Sequence, residues 1–159
     1  MIGLSRKSDY ALVALAQLAE QHGTTLVSAR RIAETYALPL PVLMTVLKRL
    51  HRAGIVSSVR GSHGGYTLAQ VPRQITLAKV IDAIEGPVQL TRCCRENDPD
   101  GCMTCQIIPQ CPVTNAIRQL NQRITAVLEG VTLDDLIHSR VAVPTTFVGA
   151  LGSSFSQQE

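Results

Sequence analysis

Apolar positions recur at helical spacing along most of this chain and switch to a β-branched, glycine-punctuated pattern in one short stretch. Over residues 5–22, Leu12, Leu15, Ala16 and Ala19 share one face with Leu18 at its flank; Ser5 can cap that helix and Gly23 can end it. Residues 28–36 form a second, short helix capped by Ser28. Leu38-Pro39-Leu40-Pro41 is a break, because proline disfavours helix in the residue before it. Pro41 then suits the first turn of a third helix, which runs to about Ala53 and stops at Gly54. Leu43, Val46, Leu47 and Leu50 fall on one side of that helix at roughly 100° per residue. The β-branched run 55–60, the glycine-rich turn 61–65 and Tyr66-Thr67-Leu68 predict a β-hairpin. A short helix follows over 76–85. A long one spans 112–129 and is ended by Gly130, and a short capped one covers 132–137. From Ser139 onward no periodic signal is found.

Helix, break, helix, hairpin is the order of a winged helix-turn-helix. The fold expected is therefore mainly α, with a winged helix-turn-helix DNA-binding domain and a long C-terminal dimerisation helix. The divisions are 1–86 for the DNA-binding domain, 87–111 for a cysteine-rich loop, 112–138 for the dimerisation helix with a short C-terminal helix, and 139–159 for a disordered tail. The third helix would be the recognition helix, apolar on one side and carrying Met44, Thr45, Lys48, Arg49 and Arg52 on the other. Lys48, Arg49 and Arg52 suit phosphate or guanine, and Thr45 suits a base edge. Ser28 and Arg30, at the start of the second helix, suit a phosphate. Arg60 flanks the wing tip, and Gly64 and Gly65 permit close backbone approach to a ligand. An ordinary amphipathic helix with a solvated basic face would explain the third helix alone; it does not explain the basic, glycine-rich hairpin beside it. His22, His51 and His138 read as surface or packing residues, and His63 as a turn residue.

Composition sharpens this picture in two ways. The net charge of +3 hides an asymmetry: residues 1–70 carry eight Lys or Arg against three acids, while residues 71–159 carry seven against nine. Basic charge thus concentrates in the half assigned to DNA. Aromatics make up only 3% and Trp is absent, so the core must be built from aliphatic side chains. No apolar run approaches the roughly 20 residues that span a bilayer, which argues against a membrane partner. The opening residues lack a signal-peptide layout, and a cytoplasmic protein is expected. No Ser/His/Asp or paired-carboxylate arrangement suggests an enzyme.

All five cysteines lie between 93 and 111. Such clustering suits metal or redox chemistry better than a disulfide scaffold. Leaving out Cys94, the order Cys93, Cys102, Cys105, Cys111 is a tetrad that can converge on a soft metal centre. Three readings remain open: an iron–sulfur cluster, structural zinc, and a thiol/disulfide switch. Zinc usually takes two close Cys pairs, and only Cys102-Met103-Thr104-Cys105 is one here. In the long helix, Val113, Ile117, Leu120, Ile124 and Val127 alternate spacings of four and three, a seam that suits pairing with another helix.

The segment Ser57-Ser58-Val59-Arg60-Gly61-Ser62-His63-Gly64-Gly65-Tyr66 closely resembles the wing of the IscR/NsrR family of iron–sulfur regulators. The opening Leu4-Ser5-Arg6-Lys7-Ser8-Asp9-Tyr10-Ala11-Leu12, the cysteine-bearing loop after Glu85-Gly86, and Leu128-Glu129-Gly130-Val131-Thr132-Leu133-Asp134-Asp135-Leu136 are similar to that family too. The resemblance covers residues 1 to about 138 and is nearest to regulators of iron–sulfur assembly operons. It implies a homodimer on a near-palindromic operator in double-stranded DNA. It also implies a [2Fe–2S] or [4Fe–4S] cluster on Cys93, Cys105 and Cys111. The fourth ligand varies in the family. The histidine that some members use is absent at Thr114-Asn115, which leaves Cys102 first, then Asp9 of a partner subunit or Cys94. Gain, loss or oxidation of the cluster would then reset the spacing of the two recognition helices.

Overall fold

The computed structural model describes residues 4–21, 25–61, 64–91 and 110–139. Its elements are α1 (Arg6–Glu20), α2 (Ala29–Thr35), α3 (Leu40–Arg52), β1 (Val56–Val59), β2 (Gly65–Leu68), a 3-10 turn (Pro72–Gln74), α4 (Leu77–Glu85), α5 (Thr114–Gly130) and α6 (Leu133–Ile137). The order is the one expected from the periodicity, with the 3-10 turn added. The wing tip at Ser62 and His63, the cysteines at 93, 94, 102 and 105, the end of α1 expected at Gly23 and the tail beyond Ser139 lie outside the described residues.

Two helix ends are set by the same local geometry. After α3, the Gly54 N–H donates to the His51 carbonyl and the Ile55 N–H to the Leu50 carbonyl, both at 3.0 Å. This closure needs a left-handed residue, which Gly54 supplies at φ +68°, and it delivers Ile55 into the core. After α2, the Leu38 N–H reaches the Ala33 carbonyl at 2.9 Å, with Ala37 held at φ +51°. The turn between α2 and α3 is therefore a helix C-cap, followed by Pro39 at the start of α3. The start of α1 differs from expectation. The Ser5 hydroxyl makes no capping bond there. Glu85, at the end of α4, accepts the Ser5 N–H at 2.9 Å and the buried Ser8 hydroxyl, so a distant carboxylate does the capping.

The core is aliphatic. Leu43, Val46, Leu47 and Leu50 of α3 are fully buried, as their spacing predicted, against Leu15 and Leu18 of α1, Ile32 of α2, and Val80 and Ile84 of α4. Each such side chain contributes about 1.5–3 kcal/mol of burial. The α1 stripe is rotated from the one expected: Ala11, Ala14, Leu15 and Leu18 are buried, while Leu12, Ala16 and Ala19 are only partly so. Small alanines there allow close approach of α3 and α4.

β1 and β2 pair antiparallel, Val56 with Leu68 and Val59 with Gly65. A backbone bridge seats the hairpin: the Val27 N–H donates to the Tyr66 carbonyl at 2.9 Å and the Tyr66 N–H to the Val27 carbonyl at 2.8 Å. The segment after α5 also returns to this body. The Leu77 N–H donates to the Val131 carbonyl and the Leu133 N–H to the Ile75 carbonyl, each at 2.8 Å. Leu133 joins the core, and Thr132 with Asp135 forms a capping box on α6. Residues 131–137 thus pack with the winged domain. On α5, Asn121 clamps the segment after α4. It accepts from the Leu90 N–H at 2.9 Å and donates to the Val88 carbonyl at 3.2 Å. Along the expected seam, Val113 and Leu120 are 54% and 43% exposed, and Ile117, Ile124 and Val127 are half-buried.

Candidate nucleic-acid interface and cysteine segment

The N-terminus of α2, one face of α3 and the hairpin enclose an open groove of about 500 Å³. Among the residues singled out in the sequence, Ser28, Lys48, Arg60, Gly64 and Gly65 line it. Ser28 caps α2, its Oγ accepting the Arg31 N–H at 3.2 Å, which leaves the hydroxyl hydrogen able to donate. The groove is therefore lined by two cations, Lys48 and Arg60, and three hydroxyl-bearing residues, Ser28, Ser58 and Tyr66, with no carboxylate among its described lining residues. That set attracts a phosphate chain.

The polar surface of α3 divides into two stripes at helical spacing. Met44, Lys48 and His51 line the groove. Thr45, Arg49 and Arg52 form the neighbouring stripe, exposed but outside the groove lining. Thr45 donates its hydroxyl back to the Pro41 carbonyl at 3.0 Å. Arg49 departs from the expected role: its Nη1 donates to the Ile84 carbonyl at the end of α4. The carbonyls of a helix's last turn lack intrahelical donors, so a guanidinium beside them is drawn inward. Arg30 is exposed on α2 and outside the groove lining.

Gly64 and Gly65 do work within the protein itself. A Cβ on Gly64 would lie 2.3 Å from the Val59 carbonyl oxygen, and one on Gly65 would lie 2.8 Å from the Val27 carbonyl oxygen. The close approach that requires glycine is between backbone segments of the wing and its seat, rather than toward a ligand alone. Sequence reasoning missed His51, Ser58 and Tyr66 as groove residues. For His51 a signal existed, since it stands seven residues after Met44 and three after Lys48.

Of the four expected metal ligands, Cys111 is within the described residues, and Cys93, Cys102 and Cys105 lie outside them. Cys111 is a free, half-buried thiol just before α5. The Thr114 hydroxyl pulls this thiol below the ordinary cysteine value and the Val113 N–H adds to that, while burial opposes them. Among the described residues the buried Thr114 Oγ1 meets no partner in strict hydrogen-bond geometry, so its influence on the sulfur is a looser approach. Both groups favour the thiolate, the form that ligates a soft metal, so the local chemistry fits such a ligand. Asp9 is exposed in the first turn of α1. Among the described residues no helix is long and apolar enough to cross a membrane.

Known proteins resemble this chain over most of its length. The family model described as Rrf2, iron-dependent transcriptional regulator, matches residues 4–139. The HTH-type transcriptional regulator IscR of Pectobacterium atrosepticum is 33% identical over 137 residues, 86% of this chain and 80% of that protein. Among solved structures, CymR, the global cysteine regulator of B. subtilis, superposes with a TM-score of 0.68 at 29% identity, over 87% of this chain and 98% of the other. IscR of T. potens does so at 0.63 and 28% identity, over 99% of this chain and 94% of the other. These relatives are regulators of transcription and not enzymes. With its mainly helical body and small two-stranded wing, the chain belongs to the Rrf2 family of winged helix-turn-helix transcriptional regulators.

Proposed function

We propose that this regulator acts as a homodimer on a near-palindromic operator, holding DNA through the groove between α3 and the wing, under the control of an iron–sulfur cluster. The observation that carries the reading is the groove itself, where Lys48, Arg60 and Ser28 come together from three elements. Lys48 and Arg60 contact phosphate, as does Ser28 at the start of α2. Met44 and Thr45 face base edges in the major groove, and Arg52 and Arg30 supply outlying phosphate contacts. Dimerisation through α5 is supported by its exposed apolar positions, Val113 and Leu120, on one stripe with Ile117, Ile124 and Val127.

The cluster, [2Fe–2S] or [4Fe–4S], is held by Cys93, Cys105, Cys111 and, as fourth ligand, Cys102, with Asp9 of a partner subunit or Cys94 as the alternatives. When bound it supplies a cross-link among thiolates that gain, loss or oxidation makes or breaks. This chain's own residues carry the consequence. Asn121 ties α5 to residues 88 and 90, and Arg49 ties α3 to the end of α4, so a shift of the 92–110 loop bears on both the dimer helix and the recognition helix. The setting is a reducing cytoplasm.

A second reading is a thiol switch without a cluster, as the likeness to a global cysteine regulator and the free Cys111 thiol suggest. Anaerobic purification separates the readings. Visible absorbance with iron and acid-labile sulfide in equal amounts supports the cluster. Colourless protein with stoichiometric zinc, or with no metal and reversible disulfides, refutes it.

A further inference from the structure

His51 lies in the last turn of α3 and lines the groove beside Lys48 and Arg60, yet neither the spacing of charges nor the wing pattern marks it. Its Nδ1 lies 3.1 Å from the Val56 carbonyl oxygen. A carbonyl oxygen only accepts, so Nδ1 carries a hydrogen and Nε2 is the nitrogen left for a ligand. This bond also fixes the ring across the junction between α3 and β1. In the neutral ring Nε2 is an acceptor. A DNA phosphate is an acceptor as well, so the neutral ring and the phosphate cannot bond. The doubly protonated ring presents an N–H and a positive charge to the same phosphate.

Among the described residues, the charged and titratable groups facing this site are Lys48 on α3, Arg60 after β1 and Tyr66 on β2, and the start of α2 contributes Ser28 and Ala29. No described carboxylate lines the groove to serve as an internal counter-ion. The negative charge that would favour a second proton on the ring must therefore come with the ligand.

We propose that His51 is a phosphate contact that operates only as the imidazolium, so that association with DNA takes up one proton at Nε2. This inference rests on the reading of the groove as the DNA interface. Histidine is the side chain whose charge ordinarily changes between about pH 5 and 8. Over that window the association constant rises as pH falls, with a limiting slope of about one decade per pH unit for one proton.

The test is fluorescence anisotropy on the full-length protein at constant ionic strength, with a labelled duplex of roughly 30 base pairs, long enough for two half-sites about one turn apart. The expected result is wild-type binding about three- to tenfold tighter at pH 6 than at pH 8, a gain that His51→Gln loses. His51→Lys, with a permanent charge, should bind with little pH dependence. An unchanged pH profile in both variants overturns the proposal, as does loss of the profile in His63→Gln with retention in His51→Gln. Should His51→Gln unfold, His51→Asn replaces it. Lys48→Ala separates the two levels of inference. If it leaves affinity and salt dependence untouched, the groove reading fails; if it weakens binding while His51→Gln keeps the wild-type profile, only the proton-coupled contact fails.

Discussion

Replacing Gly65 by alanine tests how the wing is seated. The added Cβ would sit 2.8 Å from the Val27 oxygen, 2.9 Å from its carbonyl carbon and 3.1 Å from its nitrogen. All three are backbone atoms, so no flexible side chain can move aside. The hairpin must shift away from Val27, and the two bridging hydrogen bonds at 2.8 and 2.9 Å lengthen or break. At about 0.5–1.5 kcal/mol each, their loss costs about 1–3 kcal/mol. Relief of glycine's flexibility in the unfolded chain returns about 0.4–1 kcal/mol, since Gly65 does not adopt a positive φ. The net expectation is about 1.3 kcal/mol of destabilisation, within a range of about 0–2.6, read as a lower urea midpoint at unchanged slope by far-UV circular dichroism. The folded variant should also bind DNA more weakly, because Arg60 and Lys48 no longer face each other across the same groove. Gly54→Ala is the control. Its Cβ meets nothing within 4 Å, and its cost of about 1–2 kcal/mol comes from the left-handed backbone alone. A Gly65→Ala protein with native stability and native DNA affinity would refute the account of the wing.

Lys48→Ala should lower the slope of log affinity against log salt by about 0.9, the signature of one lost phosphate contact, whereas Arg49→Met should leave the slope unchanged and lower the melting temperature. Ser28→Ala should cost about 1 kcal/mol in denaturant titrations, because α2 loses its cap. Glu85 gives a pH term. The Ser8 hydroxyl and then the Ser5 N–H hold its carboxyl below the ordinary glutamate value, so the stabilisation is fully present above that ordinary value, about 4.3, and is lost as pH falls through the lower folded value. Acid titration of Glu85→Gln should show a flatter loss of stability over that range than wild type.

Much of the fold is legible because local rules and tertiary packing agree. The α3 stripe at 43, 46, 47 and 50 and the caps at Ser28, Gly54 and Thr132 require only helical period and terminal hydrogen bonding. What escaped the sequence depends on contacts between distant residues. Glu85 takes over the capping of α1 from 80 residues away, and no pattern near Ser5 announces it. Arg49 looks like any other surface cation on a recognition helix until α4 brings the Ile84 carbonyl to it. Gly64 and Gly65 are legible as glycines that permit close approach, but the partner that approaches Gly65, Val27, lies nearly 40 residues earlier. His51 falls by spacing on the stripe of Met44 and Lys48, but only the fold brings that stripe beside Arg60 and the hairpin.

In the proposed function, one centre in the cysteine loop governs the groove. This control is tested most directly by measuring the affinity of cluster-loaded and cluster-free protein, at equal dimer concentration and under anaerobic conditions, for an operator selected from random duplexes. The two forms should differ in affinity by about five- to 150-fold, the range of an ordinary coupling free energy of about 1–3 kcal/mol, with the difference abolished in Cys111→Ala. Equal affinities of the two forms would contradict it.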